Sequence, residues 1–358
     1  MNDRILLLSV AGDPGRGAER LLASFLHALP GDLEDRCILA RPARSSLALW
    51  TATCRARPYD WPARRDAFLP NLVAALAAAW ELRADGIGLV HAWGARAFEP
   101  ALLLGRLLGA RVCGTLHDHP RATLHGRLRR AVIRRAGSRL EPLICVSRAL
   151  ADACRDAGWN ADIAVIPNGA PHLPPAARNQ AAGPVRVGFF GLYARWKGFE
   201  IVRGWIEQLS PAIEWHLGGE PAADLAPAVK DLSLTHHRNV IVHGWIDGPG
   251  VMEGLDVLVH ASTEFEPFGL VLIEAARAGI PAVASDLGGP QEIVEDGVTG
   301  FLFSPSDPAT GIRRLRALVE DPAVRARMGA AARRRFESHY VIDRMVDAYV
   351  AIWRERLA

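Results

Sequence analysis

Lysine is nearly absent from this chain: of 42 basic residues only Lys197 and Lys230 are lysine. Cysteine is scarce as well. Cys37, Cys54, Cys113, Cys145 and Cys154 are odd in number and include no Cys-x-x-Cys pair, which argues against a disulfide framework and a structural zinc site. Most read as small buried hydrophobes. There is no run of eighteen apolar residues, and the opening MNDRILLLSVAGDPG has too short an apolar stretch for a signal peptide and reads as a first strand. A cytoplasmic protein is expected. Fixed-period repeats and low-complexity tracts are missing too, which sets aside solenoids and disordered chains. The glycines after the first strand do not form Gly-x-Gly-x-x-Gly, so a nicotinamide-type dinucleotide site has little support. His236-His237 has no carboxylate at metal-ligand spacing and reads as surface.

What remains is ordinary α/β material, half apolar and 358 residues long, a length suited to two domains. Short apolar runs alternate with helical stretches. Arg4–Val10, Gly88–Ala92, Arg111–Leu116, Leu143–Val146 and Ile163–Ile166 are expected strands in the first half. Val185–Phe190, Ile213–Leu217, Val240–His243, Val257–His260 and Ala282–Ala284 follow in the second. Buried strands alternating with helices make parallel sheets covered on both faces. Pro, Gly, Asn and Ala replace any periodic pattern from Pro167 to Pro184, so residues 1–172 and 185–340 are expected as domains with 173–184 as the linker. Residues 1–175 carry 23 Lys/Arg against 16 Asp/Glu, residues 176–358 carry 19 against 23, and this asymmetry places an anionic partner on the first domain. Two doubly wound domains would bind ligands at the carboxyl ends of their strands, in an interdomain cleft.

The richest stretch is STEFEPFGLVLIEAARAGIPAVASDLGGPQEIVEDGVTG, Ser262 to Gly300. A helix is expected to start near Gly269, with Glu266 just before its first turn and Glu274 in its second. First-turn N–H groups lack intrahelical partners and suit hydroxyl or phosphate oxygens. Two carboxylates at a helix start can also be a helix-end charge and a solvated face.

Glu-Pro-Phe-Gly-Leu, the second Glu eight residues after the first, the Gly-Gly pair and Glu-x-x-x-Asp-Gly-x-Thr-Gly-Phe-Leu together resemble the donor segment of retaining GT-B-fold glycosyltransferases of the family-4 type. The resemblance implies two Rossmann-like domains, with a closing helix at about 341–358 crossing back onto the first. It gives Glu266 to the donor sugar and Glu274 to the nucleotide ribose. Phe268, Gly269 and Leu270 fall in the same donor-binding motif.

Outside that stretch, GLYARWKGFE resembles the family's Gly-Arg-Leu-x-x-x-Lys-Gly, whose Arg and Lys hold the donor pyrophosphate. Lys197 matches, but position 192 is Leu192. Either Arg195 supplies the second cation or donor binding has changed. Gly17-Ala18-Glu19-Arg20 resembles the family's Gly-Gly-Ala-Glu-Arg loop, which makes Gly17 a donor-side residue, with Arg16 in place of the first Gly. Thr-Leu-His-Asp resembles the family's segment that sets a histidine beside the donor sugar, which implies that place for His117, while His91 is assigned to packing. Gly218-Gly219-Glu220 echoes a nucleotide-side loop, and Gly244-Trp245-Ile246 a contact to the base edge. No Asp-x-Asp occurs, which counts against the metal-dependent donor site of the other large glycosyltransferase fold.

RATLHGRLRRAVIRRAGSRL sets arginines around Leu124, Leu128, Val132 and Ile133 at helical spacing, a basic amphipathic helix. It could lie on anionic lipid or be a solvated face; no aromatics interleave with the arginines as nucleic-acid binding would require.

The resemblance implies a retaining, metal-independent transfer from a nucleotide sugar, without a further cofactor, to a glycan, lipid-linked or small-molecule acceptor. Catalysis would fall to His117, Arg195, Lys197 and Glu266. The expected place is the cytoplasm, with the inner face of the cell membrane as a candidate surface. Two rivals stay open: a GT-B-fold isomerase or epimerase of nucleotide sugars, and a pseudoenzyme that only binds them.

Overall fold

The computed structural model describes residues 2–10, 17–42, 45, 47–48, 51–62, 67–121, 126–173, 183–209, 213–235, 239–245, 252 and 254–358. The chain divides into two compact units, Met1–Pro171 with Ile342–Ala358, and His172–Val341. Among the described residues no helix is long and apolar enough to cross a membrane.

In the first unit β1 (Arg4–Ser9), β2 (Cys37–Pro42), β3 (Arg57–Trp61), β4 (Ile87–Trp93), β5 (Arg111–Leu116), β6 (Leu143–Cys145) and β7 (Ile163–Val165) form one sheet. Its order is β3-β2-β1-β4-β5-β6-β7, with every neighbouring pair parallel. In β1 every residue after Arg4 is buried, as a central parallel strand requires. β2 and β3 fall outside the expected strands. β2 buries a short apolar run, residues 37–40, before ending in Pro42, whereas β3 is an edge strand whose Arg57 and Pro58 face solvent and has no continuous apolar run.

The helix Ile342–Leu357 belongs to this unit and buries Met345, Val346, Tyr349, Val350 and Trp353. Phe25, from the helix Gly17–Ala28, packs edge-on against Trp353 with ring centres 5.5 Å apart. His91 locks the same helix through polar contacts. The Trp353 indole N–H donates to His91 Nδ1 at 2.9 Å, which puts the imidazole proton on Nε2, and Nε2 donates to Thr115 Oγ1 at 2.9 Å. Thr115 Oγ1 lies 3.0 Å from the Tyr349 hydroxyl, and the His91 ring stacks on Tyr349. His91 is thus a structural histidine.

The second unit holds β8 (Val185–Phe190), β9 (Ile213–Gly218), β10 (Val240–Gly244), β11 (Val257–His260), β12 (Ala282–Ser285) and β13 (Gly300–Phe303). They make a parallel sheet in the order β10-β9-β8-β11-β12-β13. One face packs Val187, Trp215, Leu217, Val257 and Val259 against Trp205 and Leu315. β13, Gly-Phe-Leu-Phe, falls outside the expected strands; its Phe301 and Leu302 are only partly buried. The order reverses between β8 and β11, and an open α/β sheet has its crevice at the carboxyl ends of such a pair.

Burial, with a smaller contribution from nearby His117, pushes the His91 imidazole down to about 3. The folded state therefore keeps His91 neutral where the unfolded chain takes up a proton. Its stabilisation is complete above about pH 6.5 and falls as pH drops through the range from there to about 3, by about 1.4 kcal/mol per unit for this one group. Urea unfolding at pH 7 and pH 5 should show a steeper acid loss in the wild-type protein than in His91→Gln. Equal slopes would mean that His91 carries none of the acid sensitivity.

Candidate donor site

The carboxyl ends of β8 and β11 are brought together by backbone. After β8 the chain turns through a 3₁₀ segment, Arg195–Lys197, into Gly198, which has φ +77°. A Cβ there would overlap the Ala261 carbonyl oxygen, so only glycine lets the β8 loop close on the β11 loop. Thr263 reinforces the contact: its N–H donates to the Trp196 carbonyl at 2.8 Å and its hydroxyl to the Arg195 carbonyl at 3.2 Å.

This closure sets the Lys197 ammonium on the Glu266 carboxylate as an ion pair. Glu266 is buried, and its backbone is pinned to the loop after β12: its N–H donates to the Leu287 carbonyl at 3.1 Å and its carbonyl accepts from Gly289 N–H at 2.8 Å. The Ser262 hydroxyl donates to the carboxylate at 3.3 Å, and His260 Nε2 stands 3.4 Å away. Ser285 Oγ contacts the other nitrogen of His260 at 3.4 Å. Burial works to raise the Glu266 carboxyl, but Lys197, aided by His260, outweighs it and holds the group well below the usual carboxylate range. Lys197 also lies 4.3 Å above the Trp196 ring, whose side chain is part-exposed.

Gly269, at φ +99°, caps the helix Leu270–Arg277, as the sequence led one to expect, and Glu274 sits in its second turn, half-buried. Phe268 is buried and meets Tyr340 edge-on at 6.0 Å, so its side chain packs, leaving main-chain groups of 268–270 as the ones a ligand could use. Trp245 is exposed just after β10. Ile246 lies outside the described residues, as do Gly15, Arg16, Leu124, His236 and His237.

Arg195 does not join Lys197 on Glu266. Its guanidinium pairs at the surface with Asp224 at 3.1 Å and Glu200 at 3.5 Å. Leu192 is exposed. In the first unit, the strand ends carry Trp93 and His117, with ring centres 5.0 Å apart, and the Trp93 indole N–H donates to the Ala18 carbonyl at 2.9 Å, tying down the helix start at Gly17. His117 Nε2 is buried with no hydrogen-bond partner among the described residues. Burial, partly opposed by Asp118, pushes this imidazole down to about 4, so it is neutral at pH 7. Among the described residues no group of three or more His, Cys, Asp or Glu is placed to hold a metal ion.

Sequence reasoning missed His260, Ser262, Ser285, Trp93 and Trp196. Only His260, Ser262, Ser285 and Trp93 had a usable signal: each lies at the end of an apolar run, where an open sheet presents its residues to ligand.

The sequence profile described as Glycosyl transferases group 1 matches residues 187–335, and that of Glycosyltransferase Family 4 matches residues 15–172. The chain belongs to the group 1 glycosyltransferases. It is 25% identical over 344 residues to the lipopolysaccharide core biosynthesis glycosyltransferase LpsE of Rhizobium meliloti (strain 1021), covering 94% of this chain and 95% of that one. A stretch of 72 residues is 53% identical to a D-inositol 3-phosphate glycosyltransferase of Streptomyces avermitilis, 20% of this chain and 16% of that one. The crystal structure of Anabaena Alr3699/HepE in complex with UDP and glucose superposes with a TM-score of 0.85 at 23% identity, covering 98% of this chain and 99% of that one. This group 1 glycosyltransferase is of GT-B fold, with two Rossmann-like units that are each built on a parallel sheet.

In this glycosyltransferase Lys197→Ala leaves a buried carboxylate without its cation. Removing one partner of a buried pair costs about 3–5 kcal/mol, and the lower end applies here because the pair keeps some exposure. Adding Glu266→Gln to Lys197→Ala should restore most of that, because the stranded charge is gone. Chemical denaturation of the four proteins reads the coupling; additive losses would mean that the pair contributes nothing to stability.

Proposed function

We propose that the protein moves a sugar, with retention at the anomeric carbon, from a nucleotide sugar to an acceptor hydroxyl, and needs neither a metal nor another cofactor. The observation that carries this is the Lys197–Glu266 pair at the β8/β11 crevice. There a compact cation stands beside a carboxylate that stays ionised, in a chain with almost no other lysine. Lys197 neutralises the charge that develops on the departing diphosphate, since an ammonium acts as a point charge. Glu266, fixed by Lys197, Ser262 and its own backbone, orients the sugar hydroxyls. As the bond from C1 to the diphosphate oxygen breaks, the acceptor oxygen bonds C1 from the same face, and its proton passes to the departing phosphate oxygen. Glu274 holds the ribose, main-chain groups of Phe268, Gly269 and Leu270 take donor oxygens, and Trp245 flanks the base. His117 and the helix start at Gly17 are the candidates of the first unit for the sugar and its diphosphate.

Arg195 contributes a second cation only by leaving Asp224 and Glu200. This gives the binding-only rival a specific observation in its favour. HepE has been crystallised with UDP-glucose, which makes uridine diphosphate sugars the first donors to try. The name of LpsE supports a cell-envelope glycan or its lipid-linked precursor as acceptor.

Incubation with labelled UDP-, GDP- and ADP-sugars without acceptor separates the readings. Slow release of free sugar supports transfer, a new epimer supports isomerisation, and binding without turnover supports the pseudoenzyme. For a donor that is hydrolysed, Lys197→Ala should lower kcat roughly 100-fold, about 2.7 kcal/mol of transition-state stabilisation, with a much smaller loss in nucleoside-monophosphate affinity. Unchanged kinetics would remove Lys197 from the mechanism. Glu274→Ala should weaken ribonucleotides by about 1.5–3 kcal/mol and leave 2′,3′-dideoxy analogues nearly unaffected, which competition binding can resolve. Equal losses for both would exclude a ribose contact.

A further inference from the structure

The helix Phe68–Leu82 is built inside out. It buries Ala74, Ala75, Ala78 and Ala79 and turns Leu69, Val73, Leu76 and Trp80 to the surface, 68%, 64%, 51% and 70% exposed. Steps of four, three and four residues align these four large side chains on one stripe. A helix facing only water has the opposite arrangement, with its polar residues outward.

Neighbouring helices extend the surface. Phe98–Leu108 exposes Leu107 and Arg127–Gly137 exposes Leu128, which is 80% accessible while Ile133 of the same helix is buried. Right-handed crossovers from β3 to β4, β4 to β5 and β5 to β6 put all three helices on one face of the sheet. Arg129 joins them, pairing with Glu99 while its guanidinium lies 5.0 Å over the Phe68 ring. Arg106, Arg127, Arg134 and Arg135 are exposed on the same layer, and Arg83 stacks 4.0 Å over Trp80. Glu81, exposed between them, is engaged by the Tyr59 hydroxyl at 2.7 Å.

We propose that this layer docks on an anionic lipid bilayer. Leucines and tryptophan in a field of arginines match an acyl boundary under acidic headgroups. A second copy of the chain fits less well, because a two-fold contact would set the same arginines against each other. Docking names the partner of the first unit, and it rests on the proposed function only in that the acceptor would then be lipid-linked.

The test uses the full chain with sedimented vesicles of phosphatidylcholine alone or with about one third phosphatidylglycerol. Binding to the acidic vesicles should exceed binding to the neutral ones by roughly tenfold or more at low salt and weaken toward physiological salt, where the Debye length is about 8 Å. Leu69→Ser/Leu76→Ser/Trp80→Ser and, separately, Arg127→Gln/Arg134→Gln/Arg135→Gln should each reduce it by roughly tenfold. All six positions are exposed, and an unchanged melting midpoint certifies the fold. Absence of binding to acidic vesicles at low salt overturns the proposal, as does a serine variant that binds like the wild-type protein. A wild-type dimer that the serine variant converts to monomer, without vesicle binding, assigns the stripe to self-association instead. Vesicle binding by a protein that turns over no donor would sink the transfer reading and leave docking standing.

Discussion

The closure of the β8 loop on the β11 loop is the contact on which the candidate site depends. Gly198 lies so close to the Ala261 carbonyl that any side chain would force the loops apart, and Lys197 is its immediate neighbour. Because both strands are hydrogen-bonded neighbours in a parallel sheet, their carboxyl ends lie side by side. The ion pair then needs only one close backbone approach, and Glu266 is held from the other side by the 287–289 loop. A buried charge is tolerated there because its partner, a hydroxyl and an imidazole surround it.

Two buried polar clusters in the molecule show opposite solutions to the same cost. Around His91 everything is neutral: an indole, an imidazole and two hydroxyls pass hydrogen bonds along, and burial keeps the imidazole uncharged at pH 7. That cluster anchors the terminal helix to β4 and β5, a task that calls for directionality without charge. Around Glu266 the charge is kept, because an ionised carboxylate beside an ammonium can meet hydroxyls and phosphates, as a neutral network cannot. The neutral cluster belongs to architecture, and the charged one stands where an open sheet receives ligands.

The alternation of apolar runs with helical stretches was enough to read two parallel-sheet units, and the local pattern around Gly269 to read the helix it caps; the place of the terminal helix came only from family resemblance. The alternation was not enough for β2, β3 and β13. β3 turns Arg57 and Pro58 to solvent and β13 only half-buries Phe301 and Leu302, so neither leaves a clear period, while β2 is a buried four-residue apolar run cut off by Arg41 and Pro42. Leu128 and Ile133 share helical spacing, but the packing of the layer turns the first outward and buries the second.

At the site, chemistry and placement separate in the same way. By itself the sequence determined which groups were unusual: one lysine before a glycine among forty arginines, and two glutamates eight residues apart around a helix start. Only the tertiary structure decided who touches whom. It put Lys197 on Glu266 across 69 residues of chain, added His260, Ser262 and Ser285, and sent Arg195 to Asp224 and Glu200. Side-chain type and local spacing are written along the chain, whereas distances between loops arise from strand order and close backbone approach, which no local pattern encodes.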